Sequence, residues 1–263
     1  MAKGAIQYKT EEEIGLIRES SLLVGKTLAE VARHIRPGIT TGALDKIAEA
    51  FIRDHGAIPG FLGYGGFPGT LCVSVNEQVV HGIPGDRVLL DGDLVSVDCG
   101  VLLNGYYGDS AFSFGVGTLA PEVAFLMQRT RESLDKGIEA AVAGNRLGDV
   151  GFAIQSYVES FGYGVVRELI GHGLGKNLHE KPDVPNYGRK NSGLPLKEGL
   201  VICIEPMVNL GTHRIAQERD GWTIRTLDCK PSAHFEHAVA VREGKAEVLS
   251  SFELIDEVLN KRI

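Results

Sequence analysis

The chain has 263 residues, 43% of them hydrophobic and 23% charged, which is ordinary globular usage and enough length to bury a large core. A net charge of −7 without a basic run argues against a nucleic-acid surface. No segment reaches the ~18 apolar residues of a membrane span. Residues 1–8 lack the apolar stretch of a secretory signal, and Cys72, Cys99, Cys203 and Cys229 form no Cys-x-x-Cys pair, so a cytoplasmic, reducing setting is expected.

The first predicted helix starts at Thr10, where Thr10-Glu11-Glu12-Glu13 has the form of a capping box. Ile14, Ile17, Ser21, Val24, Leu28, Val31 and Ile35 line one face of it, and Pro37-Gly38 stops it. A second helix is predicted from about Gly42 to His55, with Leu44, Ile47, Phe51 and Ile52 inward and Gly56 as its C-terminal cap. Strands are predicted at Leu71–Val75, Asp93–Leu103, Tyr106–Val116, Leu200–Glu205 and Phe235–Val241.

The helix pair recurs along the chain. Gly38, Gly42, Phe51 and Gly56 align with Gly144, Gly148, Tyr157 and Gly162, and Leu28 falls opposite Leu134. Either two amphipathic helix pairs resemble each other by chance, or the chain consists of two α+β halves with a site at their junction. No Pro/Ser-rich linker separates the halves. The expectation is a single domain over residues 1–263, with a helical lead over 1–37 and halves at about 28–116 and 134–250.

Asn104-Gly105 between two apolar strands is a strong signal for a two-residue hairpin turn. Such a turn sets Leu103 opposite Tyr106 and Gly100 opposite Asp109. Alternation along a strand then makes Asp98 and Asp109 diagonal neighbours on one face, about 7–8 Å apart. Either both are solvated strand-edge residues, or a divalent cation offsets their repulsion. Further on, glycines bracket His172 in Gly171-His172-Gly173-Leu174-Gly175, Glu205 ends an apolar strand, and Glu236 enters another. Each reads alone as a structural histidine or a salt-bridge partner. Together Asp98, Asp109, His172, Glu205 and Glu236 form a hard, oxygen-rich donor set suited to two divalent cations.

Over nearly its whole length the sequence resembles the type I methionine aminopeptidases of bacterial type, in the first subfamily of peptidase family M24. The matching stretches are Val79-Val80-His81-Gly82-Ile83-Pro84, Val97-Asp98, Gly108-Asp109-Ser110, Gly171 to Gly175, His179-Glu180-Lys181-Pro182, Ile204-Glu205-Pro206-Met207, Asp220-Gly221-Trp222 and Phe235-Glu236-His237. The resemblance implies an α+β "pita-bread" fold, two pseudo-symmetric halves around a central antiparallel sheet with a dinuclear metal site. It implies a hydrolase that removes the initiator methionine from nascent proteins and peptides, preferring a small second residue, by attack of a metal-bound hydroxide on the first peptide bond.

The resemblance also assigns residues. Asp98 would chelate one metal, Asp109 and Glu236 bridge both, and His172 and Glu205 hold the second. The ions could be Co, Mn, Fe, Zn or Ni. His179 would bind the scissile carbonyl, His81 would assist at the substrate backbone and leaving amine, and Glu205 would shuttle the proton. The methionine pocket maps to Phe61, Tyr64, Phe67, Cys72, Leu178 and Trp222, each of which alone reads more readily as core packing. Phe61, Gly65, Phe67, Leu178 and the Asp98-Cys99-Gly100 run depart from common bacterial forms, which bears on the pocket's shape. Expected partners are the N-termini of nascent polypeptides, with transient ribosome association and a monomeric state. Prolidase-type enzymes carry similar metal ligands but a large extra N-terminal domain. Type II methionine aminopeptidases carry a long insertion in the catalytic domain, and the run from His179 to Glu205 is short.

Overall fold

The computed structural model describes residues 5–261. Five α-helices lie among them: α1 (Glu11–His34), α2 (Thr41–Asp54), α3 (Pro121–Ala140), α4 (Leu147–Glu159) and α5 (Glu253–Asn260). The capping box at the start of α1 is formed in both directions, with Thr10 Oγ1 accepting from Glu13 N–H and Glu13 accepting from Thr10 N–H. The whole expected apolar face of α1, from Ile14 to Ile35, is buried. In α2 the inward face is Leu44, Ala48 and Ile52, while Ile47 and Phe51 are only half-buried. The helix is therefore turned slightly from the expected orientation, burying Ala48 in place of Ile47.

Two sheets carry the chemistry-bearing residues. In the first, strand Leu94–Leu103 pairs antiparallel with Leu71–Val75, Ile58–Pro59 and Tyr106–Gly115. The second runs Glu247–Val248, His237–Ala240, Val201–Ile204, Gly171–Gly173, Glu180–Val184. Strand bounds fall within one or two residues of the expected ones, the shortfalls being at ends where the chain leaves the ladder. One large apolar cluster spans both regions and includes Leu28, Val97, Phe112, Leu134, Ile204 and Phe235.

The two helix pairs are anchored by corresponding backbone bonds. Gly38 N donates to Leu89 O (2.8 Å) and Leu89 N to Ile39 O (2.8 Å). Gly144 N donates to Leu196 O (3.1 Å) and Leu196 N to Asn145 O (2.8 Å). One turn on, Gly42 N reaches Gly85 O (2.8 Å) and Gly148 N reaches Ser192 O (2.9 Å). Each pair is thus tied to the loop that feeds a buried strand, Leu94–Leu103 in one case and Val201–Ile204 in the other.

Hydrogen bonds also tie the first sheet to the segment that leads into the second. Glu236 N donates to Ala111 O (3.0 Å), Ser110 Oγ to Glu236 O (2.6 Å), and Ser113 Oγ to His234 O (2.8 Å). They bring the segment carrying Glu236 against the strand carrying Asp109.

Candidate metal centre and apolar pocket

The hairpin over residues 94–115 fixes the first two carboxylates. Asn104 and Gly105 both have positive φ (53° and 80°), the signature of a type I′ turn. The ladder pairs Leu103 with Tyr106 and Gly100 with Asp109, so Asp98 and Asp109 share a face. Glu205 leaves the end of Val201–Ile204, and Glu236 directly precedes His237–Ala240, whose ladder pairs His237 with Ile204. His172 sits in Gly171–Gly173, one strand over, with Nδ1 2.9 Å from Gly173 O.

These elements converge. His172 Nε2 lies 3.7 Å from Asp109 Oδ2 and 3.7 Å from Glu205 Oε1. Ligand atoms of Asp109, His172, Glu236 and Cys203 all lie within 4.8 Å of one another, and all four residues are buried. One cavity of about 190 Å³ is lined by all five expected metal ligands together with His81, His179, Phe61, Tyr64, Phe67, Cys72, Leu178 and Trp222. Thus the structure gathers every residue singled out as a site candidate around one space.

The electrostatics are those of crowded, desolvated acids. Burial pushes the Asp98 carboxyl up to about 7. Burial, then the neighbouring Glu236 and Asp98 charges, push Asp109 well above the carboxylate range. Glu205 is raised by burial with Asp98 and Asp109 beside it, and Glu236 by burial with Glu205 and Asp98. Asp98 Oδ1, Asp109 Oδ1 and Glu236 Oε1 are buried and have no hydrogen-bond partner among the described residues. Buried carboxylate oxygens without donors are costly, and a divalent cation is the partner that satisfies several at once. The donor set therefore fits metal ions.

The histidines are held neutral. Burial lowers His172 to about 4 and His179 to about 3, the latter also crowded by His172 and His81. His179 Nδ1 lies 2.8 Å from the Tyr64 hydroxyl, and its ring meets that of His172 edge-on at 4.3 Å. The next residue, Glu180, forms a buried ion pair with Lys9 (2.5 Å), tying the His179 segment to the N-terminal lead. His81 has a φ of +59°, an uncommon conformation for a non-glycine residue.

At the other end of the cavity the lining is apolar. Phe67 and Trp222 meet edge-on, with ring centroids 5.2 Å apart. Asp220 holds the Trp222 turn, accepting from Trp222 N (2.9 Å), Thr223 N (2.9 Å) and Thr223 Oγ1 (2.5 Å). Tyr64 and His179 stand at the more exposed edge.

The profile of metallopeptidase family M24 matches residues 15–243. The chain belongs to metallopeptidase family M24. It is 50% identical over 249 residues to a methionine aminopeptidase of Clostridium acetobutylicum, covering 94% of this chain and all of that one. It is also 50% identical over 242 residues to methionine aminopeptidase 1 of Bacillus subtilis, covering 92% of this chain and 98% of the relative. Among solved structures, methionine aminopeptidase from Rickettsia prowazekii superposes with a TM-score of 0.92 at 42% identity, over 94% of this chain and all of that one. A prolidase from Pyrococcus furiosus, 23% identical with a TM-score of 0.76, shares the fold, covering 94% of this chain and 66% of that one. The M24 chain thus has the mixed helix-and-sheet pita-bread fold of these metallopeptidases.

Two residues near the M24 centre escaped the sequence reading. His234 is 1% exposed, neither ring nitrogen has a hydrogen-bond partner among the described residues, and Nε2 lies 3.8 Å from Glu205 Oε2. Cys203 joins the ligand cluster itself. A signal existed for both. Each stands two residues before a carboxylate ligand, and alternation in an extended chain puts both on that ligand's face.

Proposed function

We propose that this M24 metallopeptidase removes the initiator methionine from new polypeptides and peptides, favouring a small second residue. One observation carries the reading: a single cavity of about 190 Å³ joins a cluster of donor-starved carboxylates to a wall of Phe61, Phe67, Cys72, Leu178 and Trp222. An unbranched thioether suits an aromatic, soft-walled pocket. A free amine suits the acidic end. A substrate anchored at both reaches the reacting position only with its first peptide bond.

Asp98 would hold one of two divalent ions, Asp109 and Glu236 both, and His172 and Glu205 the other. Mn, Fe, Co, Zn and Ni all suit the donors. The bound ions would supply an activated water at neutral pH and polarise the substrate carbonyl. Glu205 takes the proton from the attacking water and delivers it to the leaving amine, a role that suits a carboxylate lining the cavity between the acidic cluster and His172. His179 Nδ1 lies 2.8 Å from the Tyr64 hydroxyl; in the tautomer in which that hydroxyl donates, Nε2 carries the ring proton and can donate to the carbonyl oxygen as charge develops there. His179 is neutral at pH 7 and serves this role without a charge change. His81 contacts the substrate backbone and the leaving amine. Residues 1–263 form one catalytic unit with halves at about 28–116 and 134–250. It works as a monomer in the cytoplasm, with transient ribosome contact.

The test is a tripeptide series with metal titration. Met-Ala-Ser should release Met, chelator should abolish release, and Mn or Co should restore it. Met-Lys-Ser should be cleaved at least ~10-fold more slowly. Equal cleavage of the two, or a preference for Xaa-Pro peptides, would overturn the assignment.

A further inference from the structure

Gly100 does not line the cavity, yet it packs directly against Phe61, which does. The residue lies on strand Leu94–Leu103, opposite Asp109 and on the same face as Asp98. A Cβ added there would stand 2.5 Å from Phe61 Cε1, 2.9 Å from Cδ1 and 3.2 Å from Cζ. The Phe61 ring occupies the volume that any side chain at position 100 would need.

The backbone carrying Phe61 cannot retreat. Ile58 and Pro59 pair with Leu102 and Val101, and Gly60 N donates to Gly100 O at 2.7 Å. A Cβ on Gly60 would in turn meet Gly100 C at 2.8 Å, so the two backbones are already in close contact. Phe61 is 8% exposed, and the open side of its ring is the cavity that it lines. Pressure from position 100 therefore moves the ring inward.

We infer that Gly100 and Phe61 act as a pair that sets the depth of the side-chain pocket, with residue 100 a specificity determinant that never touches the substrate. This deepens the reading of the cavity as the site for the substrate's first side chain, and rests on it. One methylene more or less in an apolar pocket shifts kcat/KM by roughly 10–200-fold, so a displaced ring has a measurable consequence.

The experiment compares wild type, Gly100→Ala, Phe61→Ala and the double variant on Xaa-Ala-Ser peptides whose first residue is norvaline, Met or ethionine. Gly100→Ala should lose ~10-fold in kcat/KM for Met relative to the shorter norvaline, mainly through KM. Phe61→Ala should gain relative activity on the longer ethionine. In the Phe61→Ala background the added Gly100→Ala should change the Met-to-norvaline ratio less than about twofold. A ratio unchanged by Gly100→Ala, or changed by the same factor in both backgrounds, overturns the pair. Should Gly100→Ala not fold, folding of the double variant supports the pair, and its failure overturns it, since backbone contact with Gly60 would then be the reason for glycine. Wild type answers the other question separately: if it prefers a residue other than Met, the methionine reading fails, and the pair is scored on the preferred residue and its shorter homologue.

Discussion

The two regions that supply acidic ligands reach the same cavity by different means. Residues 94–115 do it locally: two strands of ten residues each and a two-residue turn place Asp98 and Asp109 on one face. The second region delivers His172, Glu205 and Glu236 on three short strands or their ends. Between Glu205 and Glu236 the chain makes an excursion in which Ile224–Thr226 pairs with Gln78–Val80 and Trp222 joins the pocket wall. The first region sets two carboxylates side by side on one continuous hairpin. The second gives up continuity and gains the apolar wall around Trp222 and Glu205, the residue proposed above to handle the proton. Asp98 and Glu205 make the contrast sharp. Each directly follows four buried apolar or small residues of its strand, yet only Glu205 is within 4 Å of two histidines.

The largest expected effect breaks that apparent equivalence. Glu205→Gln keeps the shape and one ligand oxygen but removes the proton acceptor. Turnover on Met-Ala-Ser should fall by ~10²–10⁴ while the protein stays folded and retains most of its metal. Asp98→Asn should instead weaken metal uptake first, so that activity returns when more metal is added. Metal content and kcat measured side by side decide the matter. An active Glu205→Gln enzyme, or activity in Asp98→Asn that added metal cannot restore, would sink the division of labour.

A smaller effect lies in the stability of metal-free protein. Asp98, Asp109, Glu205 and Glu236 have folded-state proton affinities raised above those of an unfolded chain. Their contribution is complete at pH below the unfolded carboxylate range and is lost as pH climbs through the folded values, about 7 for Asp98. His172, His179, His234 and His237 shift the other way, with folded values of about 4, 3, 3 and 3. They cost stability only as pH falls below about 6.5, so the carboxylates act unopposed above it. Chelator-stripped protein should therefore lose on the order of 5 °C in Tm between pH 6.5 and 8. Bound Mn or Co should remove most of that slope, and Asp98→Asn should reduce it in the stripped protein. A flat metal-free profile above pH 6.5 would mean that the acids are not crowded as the structure has them.

The same local-versus-distant contrast explains what could be read in the sequence. The capped start of α1, the Asn104-Gly105 turn and the register down to Asp98 and Asp109 follow from short-range rules. The backbone there has few alternatives. That Glu236 meets Ala111 and Ser110 follows from no local rule, because 125 residues or more separate the partners. Its place in a site was reached through resemblance and the chemistry of a shared donor set. The pocket wall was reached only through resemblance, since Phe61, Phe67, Leu178 and Trp222 have the composition of ordinary core. His234 and Cys203 were missed because neither lies in a motif, and a buried histidine or cysteine looks structural until its neighbours are known. Apolar size points to Ile47 as inward, whereas helix geometry buries the smaller Ala48 in its place.

The smallest expected effect asks what holds the hairpin in register, its turn or its ladder. Gly105 has a φ of +80°, and so does Gly162, which follows α4; a Cβ at either would meet nothing within 4 Å. Alanine at each should cost the same backbone strain, ~1–2 kcal/mol, because an L-residue is disfavoured there. That is a fall in Tm of roughly 2–4 °C per kcal/mol for a chain of this size. The two positions differ only in what they adjoin, since Gly105 closes the hairpin that carries two ligands. Ten cross-strand pairs run from Leu103–Tyr106 to Leu94–Gly115, and slipping them by one residue would move every buried side chain to the opposite face. The ladder should therefore keep Asp98 and Asp109 in place even with a strained turn. Gly105→Ala and Gly162→Ala should lose stability alike, and metal affinity by calorimetry should stay within about threefold of wild type in both. A selective loss of metal affinity in Gly105→Ala would show that the turn, not the ladder, fixes the spacing of the two carboxylates.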